Sequence, residues 1–201
     1  NTPANQNFCF KITRTPQEKT GTKTNTGLGH IGVWTNGVSI FNAKDAFSYN
    51  NGGIWNQDAL PNEGNSFDDC LGHPAPNGEY HHHVNPTCLY DDQATNVHSP
   101  IIGYAFDGFP IYGAYAYNDT NGTGGITRMK TSYRLRNITD RTTLADGTVL
   151  QASQYGPAIG GQYFLGKYIE DYEYVQGLGH LDKYNGRFCV TPEYPSGTYA
   201  Y

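Results

Sequence analysis

The sequence has 201 residues, of which 15% are charged and 14% are aromatic, and its formal net charge at pH 7 is −5. The length suits one domain, and the aromatic content excludes a disordered chain. The acidic balance argues against nucleic acid as a partner, and no apolar stretch is long enough to span a membrane. We therefore expect a single domain over residues 1–201.

The first third of the chain predicts one hairpin between two irregular stretches. Residues 1–27 are polar and rich in Thr and Asn, so little regular structure is expected there. Residues 30–42 predict a β-hairpin, because Asn36-Gly37 lies between β-branched and aromatic residues. Residues 43–78 are rich in Asn, Gly, Asp and Pro and predict a long loop, which in a compact domain is usually functional or pinned.

The rest of the chain predicts short strands. Residues 79–84, 101–115, 131–136 and 187–201 have strand character, with Asp107-Gly108 as a turn inside the second segment. Residues 162–175 space their apolar residues as in one short helix. The predicted fold is mainly β: one compact domain of short antiparallel strands and hairpins with long loops, and at most one or two short helices.

Four cysteines at wide spacing predict two disulfides, although the sequence alone allows three connectivities. We favour Cys70–Cys88, which closes a short loop, and Cys9–Cys189, which would tie the N-terminal segment to the end of the chain. The alternative is four reduced thiols, as in a cytosolic protein.

Three Asn-x-Thr sequons, at Asn118, Asn121 and Asn137, indicate N-glycosylation. The first two lie in a stretch rich in Gly, Asn and Thr, which is typical of an exposed loop. The sequence begins at Asn1 without an apolar leader, so we expect that a signal peptide has been removed. With the predicted disulfides, these features favour a secreted, oxidised glycoprotein.

The histidines form the most informative pattern. His81 and His83 are two residues apart on a predicted strand, so their side chains project from the same face and can bind one metal ion. His82 points to the opposite face and is expected to be structural or solvated. His73, eight residues upstream, and His98, fifteen residues downstream, are candidates for further ligands.

Imidazole ligands without thiolate suit copper or zinc, and copper precedes zinc in intrinsic affinity. The metal is therefore predicted to be copper, with zinc as the alternative.

The segments around these histidines resemble the YHYH-domain family, found mostly in secreted bacterial and algal proteins. The matching segments are residues 72–83, 98–113, 181–187 and 191–199. The resemblance implies a secreted metal-binding protein with a link to copper. In it, His81 and His83 match the histidines of the name motif, and His73 and His98 match flanking histidines. The sequence departs from the family pattern at His82, where a second Tyr is expected, and at Ala200, where relatives often have a His.

Three functions remain open from the sequence. The first is a secreted protein that binds copper for capture, delivery or structural use, with another metal-handling protein or a glycan as a further partner. The second is a zinc- or copper-dependent metalloenzyme with an open coordination position, in which Asp107 or Glu193 would act as base. The third is a metal-free carbohydrate-binding or matrix glycoprotein that uses the tyrosine-rich segments 112–117 and 168–174.

Overall fold

The computed structural model describes residues 1–201 and is built mainly from short β-strands. Fourteen strands and one short α-helix follow in chain order: β1 His30–Trp34, β2 Ser39–Phe41, β3 Lys44–Ser48, β4 Asn56–Asp58, α1 Ala59–Glu63, β5 Gly72–Pro74, β6 Tyr80–His82, β7 Ile101–Ala105, β8 Pro110–Tyr112, β9 Tyr115–Tyr117, β10 Ile126–Arg128, β11 Tyr133–Leu135, β12 Tyr172–Tyr174, β13 Arg187–Cys189 and β14 Thr198–Ala200. The predicted fold class, mainly β with at most one or two short helices, is confirmed.

One six-stranded sheet organises the molecule. Its strand order is β5-β6-β2-β1-β7-β8, and every pairing is antiparallel except that of β2 with β6. The other strands form four two-stranded ribbons. A small apolar cluster of Trp34, Ile40 and Ile102 lies under the central strands of the six-stranded sheet. The candidate metal ligands lie at its β5–β6 edge.

The two predicted hairpins in this sheet are confirmed. Strands β1 and β2 pair across Asn36-Gly37, and β7 and β8 pair across Asp107-Gly108. Both turn glycines have positive φ, +86° at Gly37 and +91° at Gly108, a region that residues with a Cβ rarely adopt. The predicted strands over residues 79–84, 131–136 and 187–201 are present as β6, β11 and the β13–β14 pair.

The prediction of a long loop over residues 43–78 is wrong. Strands β3 and β4 pair with each other there, and α1 and β5 follow. The side chain of Asp58 caps α1 by accepting a hydrogen bond from the backbone N–H of Leu60. Elements of three to five residues carry too few positions for a periodic pattern to stand out among Asn, Gly and Pro.

The predicted helix over residues 162–175 is also wrong. A single 3-10 turn, Ile169–Asp171, precedes strand β12. Gly166 has a φ of +101°, which no helix accommodates. The buried carboxylate of Asp171 fixes the segment instead, because it accepts backbone N–H groups from Gly166 and Tyr168 and ion-pairs with Arg141.

One of the two predicted disulfides is present. Cys70 and Cys88 are bonded, but the predicted Cys9–Cys189 bridge is not formed. Cys189 is buried beside Tyr112 and Ala200, whereas Cys9 is exposed.

The N-terminal segment is held elsewhere in the fold, which explains why Cys9 does not reach Cys189. Residues 1–29 form no strand or helix. The backbone N–H of Ala4 donates to the carbonyl of Gly78, and the rings of Phe8 and Phe10 pack on His30. No helix in the structure combines the length and the apolar character of a membrane span.

Candidate metal centre

Three imidazoles meet at the edge of the six-stranded sheet. His73 on β5 and His81 on β6 are directly paired in the antiparallel register, and His83 follows two residues after His81, on the same face. The Nε2 atom of His81 lies 3.0 Å from Nε2 of His73 and 3.0 Å from Nε2 of His83. The potential ligand atoms of the three residues all lie within 4.8 Å of one another.

The other ring nitrogen of each histidine has a partner that fixes the tautomer. Nδ1 of His81 lies 2.9 Å from the carbonyl oxygen of Glu79, and Nδ1 of His83 lies 2.6 Å from that of Asn42. Carbonyl oxygens only accept hydrogen bonds, so both Nδ1 atoms carry the proton and both Nε2 atoms present a lone pair.

The same argument applies to His73. Its Nδ1 lies 2.7 Å from the hydroxyl oxygen of Ser66, and that hydroxyl donates its proton to the carbonyl of Glu63 at 2.7 Å. The Ser66 oxygen therefore accepts from His73 Nδ1–H, and the third Nε2 also presents a lone pair. Three lone pairs then lie within 4.8 Å of one another with no proton between them, an arrangement that a bound cation would stabilise.

Burial keeps the three rings neutral. The side chains of His73 and His83 are only 9% and 4% exposed. Burial lowers the pKa of His73 to about 4, helped by the neighbouring histidines. Burial also lowers the pKa of His81 and of His83. Neutral imidazole is the form that binds transition metals.

A carboxylate that the sequence did not predict lies beside the cluster. Glu63, the last residue of α1, places Oε2 3.3 Å from Nε2 of His83 and 3.7 Å from Nε2 of His73. This oxygen is buried and has no hydrogen-bond partner. Burial, with a contribution from the negative charge of Asp45, raises the pKa of Glu63 to about 7. The sequence feature that could have indicated Glu63 is Asp58, a residue type that favours the start of a helix, five positions earlier.

Aromatic rings enclose the group. Phe41 stacks on His81 with ring centroids 3.9 Å apart, and Phe67 packs edge-on against His73 at 4.9 Å. These rings hold the imidazoles in place and keep the local dielectric low, which strengthens electrostatic interactions with any bound cation.

The structure places His98 outside the cluster. Its Nδ1 donates to the carbonyl of Ser99 at 2.8 Å, and its ring packs against Tyr112 and Tyr117. His82 projects away from the cluster, as predicted, and packs against Trp34, with both of its ring nitrogens buried and unpartnered.

The other candidate site residues are dispersed. The carboxylates of Asp107 and Glu193, the predicted candidate bases, accept hydrogen bonds from the hydroxyls of Tyr201 and Tyr112. The tyrosines of segments 112–117 and 168–174 are all buried or half-buried. The sequon residues are all exposed: Asn118, Asn121 and Asn137.

Comparison with known protein families gives one match. The family model described as YHYH protein matches residues 9–201, nearly the whole chain. The chain belongs to the YHYH protein family. No curated protein and no solved structure matches it.

The YHYH motif reads Tyr-His-His-His in this member of the family, and strand alternation divides its roles. His81 and His83 face the cluster, whereas Tyr80 and His82 face the other side with ring centroids 5.4 Å apart. The Tyr80 hydroxyl donates to Asp68 at 2.6 Å. Asp68 also accepts the backbone N–H of Cys70, so the motif strand is fastened to the loop that the disulfide closes.

Proposed function

We propose that this YHYH protein binds one transition metal ion through Nε2 of His73, His81 and His83, and that the ion is copper. The observation that carries the proposal is the convergence of three unprotonated Nε2 atoms, each oriented by a partner at Nδ1. Such outer partners are typical of histidine metal ligands. Imidazole donors without thiolate favour copper over zinc.

Glu63 is the proposed fourth ligand. Its Oε2 is the buried, unpartnered oxygen beside His83 and His73, and a carboxylate would offset part of the charge of a divalent ion. Four protein ligands close the coordination sphere, which supports metal capture, delivery or structural use over catalysis.

A metalloenzyme is the second candidate, and the same oxygen favours it. If Glu63 stays unligated, Oε2 stands beside an open coordination position as a base for metal-bound water, whose pKa falls toward ~7 on zinc. The two functions predict different effects of Glu63→Gln on metal affinity and on turnover. Loss of a ligand weakens metal binding, whereas loss of a base leaves binding intact and removes turnover.

We also propose that the protein is a secreted glycoprotein with a single domain over residues 1–201. The Cys70–Cys88 disulfide supports secretion, because such bonds persist in oxidising compartments. The exposure of Asn118, Asn121 and Asn137 supports glycosylation. A metal-handling protein or a glycan is the proposed further partner.

The test is elemental analysis of untagged protein purified without metal-charged resin, followed by electron paramagnetic resonance. About one copper per chain with nitrogen hyperfine structure is expected. The His81→Ala/His83→Ala variant should lose tight binding, and His180→Ala, which removes an imidazole outside the cluster, should retain it. Zinc in place of copper would favour the enzyme, and absence of any transition metal after copper addition and dialysis would refute both proposals.

A further inference from the structure

A cavity lies away from the histidine cluster, between strands β8 and β9 and the β13–β14 ribbon. Its volume is about 230 Å³. The lining includes His98, Arg128 and Arg187 but no Asp or Glu, although the chain as a whole carries more acidic than basic residues. Since Arg128 is paired with Asp92, Arg187 is the one lining cation without an ion pair, and its charge points to an anionic ligand.

Arg187 is the main reason for this assignment. The residue is only 8% exposed and forms no ion pair. Two of its N–H groups donate to the carbonyls of Asn118 and Tyr117, which leaves its charge uncompensated. A buried cation without a counter-charge is unfavourable, and a bound anion would supply that charge.

His98 provides a second unsatisfied group on the cavity wall. Its Nδ1–H is used by the carbonyl of Ser99, and its Nε2 is buried without a partner. Two carboxylates approach the same wall but are already engaged. Asp92 pairs with Arg128 at 2.8 Å, and Glu193 accepts from the Tyr112 hydroxyl at 2.8 Å.

We propose that this cavity binds a small monocarboxylic acid with an apolar body. One carboxylate oxygen accepts hydrogen bonds from Arg187 and supplies its counter-charge. The other oxygen accepts from Nε2–H of His98, which takes up a proton from the solvent when the anion binds. The apolar body packs against Ala116, Met129 and Ala200, which line the remainder. The proposal is independent of the metal site, since it uses none of the residues of the histidine cluster.

We choose the test ligand by the volume of the cavity. A cavity of ~150 Å³ accepts benzene, so about 230 Å³ accommodates benzoate. Benzamide has almost the same shape without the negative charge, and it separates recognition of the carboxylate from filling of the cavity.

Calorimetric titration of the full-length protein with each compound tests the proposal. Benzoate should bind in the millimolar range or tighter, and benzamide should bind at least about tenfold more weakly, because the charge-assisted hydrogen bonds are lost. Ala116→Leu, which fills the cavity, should abolish benzoate binding. Arg134→Gln, which removes an exposed arginine paired with Glu173, should leave it unchanged.

The comparison of benzoate with benzamide uses wild-type protein, so it tests the proposal even if a variant fails to fold. Equal affinity for benzoate and benzamide, or no benzoate binding at millimolar concentration, would overturn the proposal. So would benzoate binding that survives in folded Ala116→Leu. Long-range ¹H–¹⁵N correlation spectra locate the ligand, because benzoate in the cavity shifts the Nε2 resonance of His98 and leaves that of His81 in place.

Discussion

Replacing Ser66 with alanine tests whether the orientation of His73 is built for metal binding. The Ser66 oxygen accepts from His73 Nδ1 at 2.7 Å, and its own proton is committed to the carbonyl of Glu63. In Ser66→Ala the Nδ1–H group of an almost buried ring loses its acceptor, which costs about 1–3 kcal/mol if nothing replaces it.

The ring has an alternative that avoids this cost. His73 can move its proton to Nε2 and donate to Nε2 of His81, which is already at 3.0 Å. That hydrogen bond occupies the lone pair of His81 and removes the lone pair of His73, so the metal must displace a proton before it binds. Loss of an outer partner typically reduces metal affinity about 10–100-fold. Because Ser66 is exposed, a water molecule can replace its oxygen, which favours the lower end of that range.

Copper affinity is measured by competition with a chelator, and the tautomer of His73 by ¹H–¹⁵N spectra of the metal-free protein. We expect wild type to carry the His73 proton on Nδ1 and Ser66→Ala to carry it on Nε2, with weaker copper binding. Ser153→Ala changes an exposed serine outside the site and serves as control. Unchanged affinity together with an unchanged tautomer would refute the orienting role.

Three further predictions concern stability, each measured by urea denaturation of metal-free protein. Burial lowers the pKa of His73 from 6.5 to about 4, so between these values the unfolded chain binds more protons and the free energy of unfolding rises with pH. Between pH 4 and pH 6.5 the free energy of unfolding of wild type should therefore rise by about 2–3 kcal/mol more than that of His73→Gln. Parallel pH profiles for the two proteins would contradict this. Asp171→Asn leaves the charge of Arg141 buried and unpaired and should cost about 3–5 kcal/mol; a loss below about 1 kcal/mol would show that the pair is dispensable. The Cys70→Ser/Cys88→Ser variant frees a loop closed over a sequence separation of 18 and should cost about 3 kcal/mol, so an unchanged urea midpoint would argue against the bond.

The sequence predicted the features that depend on local chemistry. Asn36-Gly37 and Asp107-Gly108 specify their turns through glycines with positive φ, so both hairpins were found. Alternation along a strand is equally local, which is why His81 and His83 were placed on one face. The position of His73 opposite His81 also depends on local structure, because Pro74 and Tyr80 pair across the short turn that joins β5 to β6.

Features that depend on distant partners were missed. Glu63 reaches the cluster because α1, capped by Asp58, begins at Ala59 within a segment whose sequence predicts a loop. The stretch 162–175 has apolar spacing typical of a helix, but the buried ion pair of Asp171 with Arg141, thirty residues away, determines its path. Cys189 is buried in a ribbon that Cys9 does not approach, and no spacing rule reveals that.

The register of β2 against β6 links the local features of the histidine strand to partners that are distant in the sequence. His83 is oriented by the carbonyl of Asn42, and this contact exists because β2 and β6 run parallel with Ile40 opposite His82. A slip of one residue would turn His81 and His83 to the opposite face and remove the Asn42 carbonyl from His83 at the same time. The apolar side chain of Ile40, buried with Trp34 in the central cluster, resists that slip. The packing of the sheet therefore sets the tautomer of His83 as well as its position, and stability and metal affinity should respond together to changes at Ile40.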